Sequence, residues 1–291
     1  MHILLKNNPS LRLIGLALSL FTLISCSSLV SSVTNGMASS LTSAMLNHND
    51  IDTVKTALPA YLLMIDGFVR DDPENIDLLL ARAKLYGAYA GAFVKEKPRI
   101  KRLSQTAFDS AIQATCLHRN DSCTLRKLPF DAFKQVLAKL TKDDVAVFYV
   151  LGTSWASWIQ ANRSDWNAIA ELPRITAIMQ RLTELDESYQ YGGAHLYLGI
   201  TETLIPPALG GKPDKAQAHF KRAIELSQGK NLYVKVVYAQ RYARLLFNRE
   251  LHDQLLNEVL KADPITEDFT LLNLMAQTQA KQLLDSADDY F

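Results

Sequence analysis

The sequence predicts an all-α protein, antiparallel helix hairpins stacked into a curved solenoid of about eleven helices. Three observations carry that expectation. Apolar residues recur at three- and four-residue steps almost everywhere after Asp50. The chain holds only 12 glycines and 10 prolines, and after Asp50 they fall mostly between those periodic segments. One pattern of glycine, phenylalanine and alanine occurs twice at a fixed offset of 112 residues, Gly87 to Gly199 and Phe108 to Phe220. No stretch alternates apolar and polar residues as a half-buried strand would.

The periodic segments predict helices over 52–69, 76–94, 98–116, 130–140, 144–161, 173–185, 192–204, 213–228, 232–247, 251–261 and 267–284. The Asp71-Asp72-Pro73-Glu74-Asn75 turn stops the first. Pro98, Pro173 and Pro213 sit where first-turn prolines belong, because a helix leaves its first N–H groups unpaired anyway.

The duplicated pattern suggests how the helices stack. Leu85-Tyr86-Gly87 and Tyr197-Leu198-Gly199 are each followed by a phenylalanine 21 residues after the glycine, then by Ala111-Ile112 or Ala223-Ile224. A glycine on one helix and alanines on the next let two antiparallel backbones approach closely, and the phenylalanine fills the seam to the neighbouring pair. Tetratricopeptide hairpins stack this way. Ala216-Gln217-Ala218-His219-Phe220-Lys221-Arg222-Ala223 matches their second-helix pattern, whereas the first copy has Ser104 for the leading alanine. Both copies carry about five residues more between helices than a 34-residue repeat allows, so the repeats are degenerate. Leu151-Gly152 opens a third, less complete copy.

The N-terminus reads as an export signal. Lys6 and Arg12 precede an apolar run from Leu13 to Leu23, and no acidic residue occurs before Asp50. That run is too short for a comfortable bilayer span, which takes about 20 residues. Its exit, Leu23-Ile24-Ser25-Cys26, resembles the lipobox of bacterial lipoproteins. The resemblance implies cleavage before Cys26 and acylation of its thiol and amino group, and two or more acyl chains anchor a protein stably where one does not. The domains expected are thus a signal peptide over 1–25, a lipidated Cys26 with a serine-rich tether over 26–48, and a helical-repeat domain over 49–291. Ser27 and Ser28, in place of an aspartate, favour the outer membrane by analogy with enteric bacteria.

Removing Lys6 and Arg12 shifts the formal net charge from +1 to −1, which gives no electrostatic case for nucleic acid. Locally, residues 95–127 hold eight Lys and Arg against Glu96, Asp109 and Asp121. That basic face suits an acidic partner or lipid headgroups, although a solvated helix-loop surface is the commoner explanation. In an oxidising compartment Cys116 and Cys123 can close a small loop; the other reading is two unpaired thiols.

The stretch from Asp186 to Asp263 is more specific. It contains Gly192-Gly193-Ala194-His195, Pro206-Pro207-Ala208-Leu209-Gly210-Gly211-Lys212-Pro213, His219 and Tyr238-Ala239-Gln240-Arg241-Tyr242-Ala243. It resembles the T component associated with TRAP transporters, the TatT family, and Leu80-Ala81-Arg82-Ala83 and the helix near Tyr149 extend the similarity upstream. The resemblance implies a non-catalytic extracytoplasmic lipoprotein in TRAP-type solute uptake. It further implies binding to the periplasmic substrate-binding protein, a homo-oligomeric ring with three subunits expected, and a ligand passed between them. Gly192, Gly193, His195, Pro206, Pro207, Gly210, Gly211 and His219 are the motif residues expected at an interface. The alternative is an envelope-assembly scaffold lipoprotein holding outer-membrane or cell-wall machinery.

No catalytic, metal or cofactor site is expected. His195 and His219 fall on neighbouring helices without converging carboxylates or cysteines, and each is expected to brace the 206–212 loop. Gly210-Gly211-Lys212 lacks the leading spacing and following hydroxyl of a phosphate-binding loop. Tyr149, Trp155, Trp158, Tyr238 and Tyr242 are candidates for a ligand groove, since tyrosine and tryptophan join an apolar body to a polar tip. Such a groove would take a hydrophobic or amphipathic ligand; core packing is the competing role for each ring.

Overall fold

In the structure, a computed structural model, residue 36 and residues 40–291 are described. The chain divides into two units, 1–42 and 43–291, and nearly all described residues belong to the second. The signal segment, Cys26 and the tether up to residue 35 lie outside the described residues. Helical structure reaches further back than expected: residues 43–46 are helical and Met45 packs on the core, within the stretch assigned to the tether.

Eleven helices of seven residues or more follow, with no strand among the described residues. They are α1 (Ile51–Asp71), α2 (Ile76–Ala92), α3 (Lys97–His118), α4 (Phe130–Ala138), α5 (Val145–Ala161) and α6 (Leu172–Asp186). After these come α7 (Gly193–Glu202), α8 (Pro213–Leu226), α9 (Leu232–Tyr238), α10 (Arg249–Lys261) and α11 (Thr270–Asp285). Two four-residue helices, Trp166–Ile169 and Ala287–Tyr290, were not legible as periodic segments, being too short to show a period.

Local chemistry explains the boundaries. The Asp50 side chain accepts from the backbone N–H of Asp52 and Thr53, and the Asn75 side chain from that of Leu78, each pairing donors that a helix start leaves orphaned. Pro98, Pro173 and Pro213 occupy the first turns of α3, α6 and α8. One expected helix is altered: α9 gives way to a π turn over Ala239–Ala243. There Arg244 N–H donates to the Ala239 carbonyl and Asn248 N–H to the Ala243 carbonyl. The wide turn delivers Arg244 to α11, where its guanidinium donates to the Leu283 carbonyl at 3.0 Å and the Ser286 hydroxyl at 2.9 Å.

Helices adjacent in sequence pack on one another: α2 on α3, α5 on α6, α7 on α8, α10 on α11. This all-α arrangement is compatible with a curved stack of hairpins. The duplicated pattern marks two of the pairs. A Cβ on Gly87 would stand 4.0 Å from that of Ala107, and one on Gly199 would stand 2.9 Å from the Phe220 ring. Phe108 and Phe220 are fully buried. Each reaches past its own hairpin to the next: Phe108 lies 5.1 Å from the Trp155 ring on α5, and Phe220 stacks 5.0 Å from Tyr238 on α9. The incomplete third copy follows the same rule, with Gly152 against Met179 and Ile178 of α6.

The buried apolar side chains form two clusters. One is drawn mainly from α1 to α7, with Leu271 of α11, and holds Phe108, Phe133, Phe148 and Trp155; the other holds Phe220, Tyr238, Leu256 and Ala276. Helix α7 joins them, giving Ala194 and Leu198 to the first and Leu196 to the second. Truncating a fully buried ring removes its transfer free energy and leaves a cavity. Phe220→Ala is therefore expected to lower unfolding free energy by about 3–5 kcal/mol, while the exposed Leu63→Ala costs under about 0.5 kcal/mol, both read by urea denaturation.

Candidate functional site

The motif residues gather where the chain leaves α6 and builds the α7–α8 hairpin. Gln190, Tyr191 and Gly192 take φ values of 49°, 55° and 78°, three left-handed residues in succession. Two of them carry side chains, a conformation that costs roughly 1–2 kcal/mol each. Surrounding contacts hold the kink. The Tyr191 hydroxyl donates to Asp268 at 3.1 Å and its ring lies 4.8 Å from Phe269. A Cβ on Gly192 would meet Leu226 at 2.8 Å, and one on Gly193 would collide with the Tyr149 hydroxyl. The Gly-Gly pair is thus a steric requirement of the α5–α7–α8 junction. Burial, reinforced by Tyr197 and Tyr189, pushes the Tyr149 phenol far above its ordinary range, so that ring stays neutral.

His195 and His219 face each other, Nδ1 to Nδ1, at 2.9 Å. Such a contact requires one nitrogen to donate and the other to accept, so the two rings cannot both carry a proton there. Burial lowers the His195 pKa against the opposing pull of Glu187. Burial, then the neighbouring His195 and Lys215, pushes His219 down to about 4. His195 Nε2 stands 3.4 Å from Glu187, whose carboxylate is gripped by Arg222 from the next turn of α8. Arg222 holds that carboxyl below its usual range. The sequence reading missed the Glu187–Arg222 pair, since its members are 35 residues apart and only the hairpin joins them.

The expectation that these histidines brace the 206–212 loop does not hold: the rings bond each other through Nδ1, His195 Nε2 faces Glu187, and neither ring bonds to that loop among the described residues. The loop satisfies itself: Gly210 N–H donates to the Pro207 carbonyl at 3.0 Å and Gly211 N–H to the Pro206 carbonyl at 3.1 Å. Gly210 is left-handed at φ 91°, and Gly211 passes so near the Ile205 carbonyl that no Cβ fits. The result is a self-bonded projection with Leu204 43% and Ile205 54% exposed, and Pro206 and Pro207 exposed beside them.

The five candidate aromatics do not share one groove. Trp155 is buried and donates its indole N–H to Glu171 at 2.5 Å. Trp158 donates to Gln105 at 2.6 Å beneath the Arg126 guanidinium, 4.3 Å above its ring. Both belong to the first core, together with Tyr149. Tyr238 and Tyr242 lie in the second, 5.1 Å apart.

Cys116 and Cys123 are disulfide-bonded across a Cα separation of 4.2 Å. The loop is tied down by Asp144, which accepts from the Thr141 N–H at 2.7 Å and from Arg119 at 3.1 Å and lies 3.0 Å from His118 Nε2. The basic region therefore divides in two. Arg119 and Arg126 are spoken for by Asp121, Asp144 and Glu171. Lys95, Lys97 and Lys101 have no carboxylate within ion-pair distance among the described residues. Nor does any group of three or more His, Cys, Asp and Glu among the described residues suit a metal ion, and no described helix is long and apolar enough to cross a membrane.

The histidine pair fixes a pH dependence. A buried neutral histidine has a folded pKa below its unfolded value near 6.5, so stability is full above about pH 6.5 and is lost as pH falls toward 4. From pH 7 to 5 His219 is expected to cost about 1 kcal/mol after allowance for its partial exposure. His219→Gln should flatten that part of the slope in thermal melts; an unchanged slope contradicts the neutral pair.

Two comparisons bear on identity. The chain is similar to an uncharacterized protein of Treponema pallidum (strain Nichols), 23% identical over 270 residues, which cover 86% of this chain and 83% of that one. A family model described as TRAP transporter T-component matches residues 47–291. Since the match takes in all eleven helices, the chain belongs to the TRAP transporter T-component family.

Proposed function

We propose that this chain is a non-catalytic lipoprotein, lipidated on Cys26 and held on the periplasmic side of a bacterial membrane, the outer membrane being favoured. There it engages the substrate-binding protein of a TRAP-type uptake system. The family assignment implies association with a TRAP transporter. The docking element is the 204–208 loop, and the observation that carries it is the exposure of Leu204, Ile205, Pro206 and Pro207 on a self-bonded backbone. A monomer gains nothing by exposing four neighbouring apolar residues to water, whereas an interface gains from an apolar anchor on a self-bonded turn. The disulfide accords with an oxidising compartment.

Self-association has its own surface. Trp166 is 85% exposed on its short helix, and tryptophan is the residue most enriched at energetically dominant interface positions. A homo-oligomer, with three subunits as the expectation, fits such an anchor.

Affinity capture from the host's periplasmic extract, read by mass spectrometry, tests the partner. A TRAP substrate-binding protein is expected to be enriched by the wild-type chain and depleted at least tenfold by Ile205→Asp, which leaves the fold intact because residue 205 is exposed. Recovery of outer-membrane assembly or cell-wall proteins without any substrate-binding protein would replace this reading with the scaffold one.

A further inference from the structure

A cleft of about 650 Å³ opens between the end of α2, the start of α3 and the end of α5. That volume is in the range of small-molecule sites, roughly 300–1,000 Å³. Its lining sorts into two chemistries. Gly87, Ala90, Gly91 and Ile100 give an apolar floor, and small residues there leave the space open. Lys95, Lys97, Lys101 and Arg163 stand around it with no acidic residue among the lining. The acids nearest in sequence are used elsewhere or turned away: Asp165 caps the following helix through the Asn167 N–H, and Glu96 is exposed and does not line the cleft.

None of the four cations makes an ion pair, a hydrogen bond or a ring contact among the described residues. Exposed cations without an ion pair also occur elsewhere among the described residues, Lys55, Lys221 and Lys261 among them; what sets these four apart is that they surround one cleft. Four like charges around one cleft repel one another, and an anion bound among them relieves that repulsion. The Gln160 side chain and the Ser157 hydroxyl, whose proton goes to the Thr153 carbonyl, add polar groups at the rim.

From this geometry we propose that the cleft is a binding site for a small amphipathic anion, a carboxylate or phosphate head held by Lys95, Lys97, Lys101 and Arg163 with an apolar tail on the Gly87–Gly91 floor. The inference rests on the cleft alone and is independent of the 204–208 docking loop. It differs in place and in charge from the aromatic groove expected from sequence, whose rings are in the cores.

The probe is decanoate, titrated calorimetrically below its micelle concentration into the full chain. One saturable site is expected, at least tenfold weaker in the Lys97→Gln/Lys101→Gln double variant and weakening with added salt. Decanamide, which keeps the tail and lacks the charge, should bind at least tenfold less tightly. Acetate and inorganic phosphate, heads without tails, should do the same. A second variant tests the floor: a Cβ at Gly91 meets nothing within 4 Å, so Gly91→Leu starts from open space at the cleft wall and should abolish decanoate binding. Thermal melts matching wild type establish that both variants fold. No saturable decanoate binding, equal binding of decanamide, or undiminished binding in either folded variant overturns the proposal. Phosphate binding as tightly as decanoate overturns it too, reducing the cleft to a plain anion site.

Discussion

A fully buried phenylalanine, seated against the glycine or alanine face of its own hairpin and reaching the next, is the contact on which the arrangement depends. It occurs at Phe108 and again at Phe220. Because the ring spans two hairpins, it fixes both how closely two helices cross and where the following helix must lie. A larger residue at Gly199 would strike the ring, and a smaller one at Phe220 would leave the second core without its centre. In a stack of hairpins, with which this all-α arrangement is compatible, such contacts add stability pair by pair.

The same contact places the two surfaces of interest. In each copy the connector between the paired helices is free to vary, since the seam is secured further along. The first connector, residues 93–96, carries Lys95 to the cationic cleft, and Lys97 opens the helix that follows it. The second, residues 203–212, carries the exposed Leu204 and Ile205. Duplicated positions in one scaffold thus present opposite chemistries. An accessory protein of an uptake system can use one to hold a partner and the other to hold a small anion.

Much of this was legible in the sequence, and the limits have physical causes. Helix positions emerged because a buried stripe needs a three- to four-residue period, as in Val54, Leu58, Leu62, Ile65 and Val69. The pairing of α2 with α3 and of α7 with α8 was readable because close approach demands small residues at set places. The left-handed turn at Gln190 and Tyr191 was not, since neither residue type favours it and only Asp268, Phe269 and the Gly-Gly packing enforce it. The motif histidines were located on adjacent helices, but their partner was misassigned because the loop's self-bonding depends on Gly210 and Gly211 geometry. The basic stretch was visible as composition. Which cations stay free, and that Arg163 joins them, depends on the tertiary placement of Asp121, Asp144 and Glu171.

Hydrogen exchange on Phe108→Leu and Phe220→Leu addresses the seam most directly. If each ring couples its own hairpin to the next, Phe108→Leu should deprotect α2, α3 and α5, and Phe220→Leu should deprotect α7, α8 and α9. Each change should leave the other set near wild type. Loss confined to the substituted hairpin, or spread evenly over all eleven helices, would contradict a fold built from two equivalent seams.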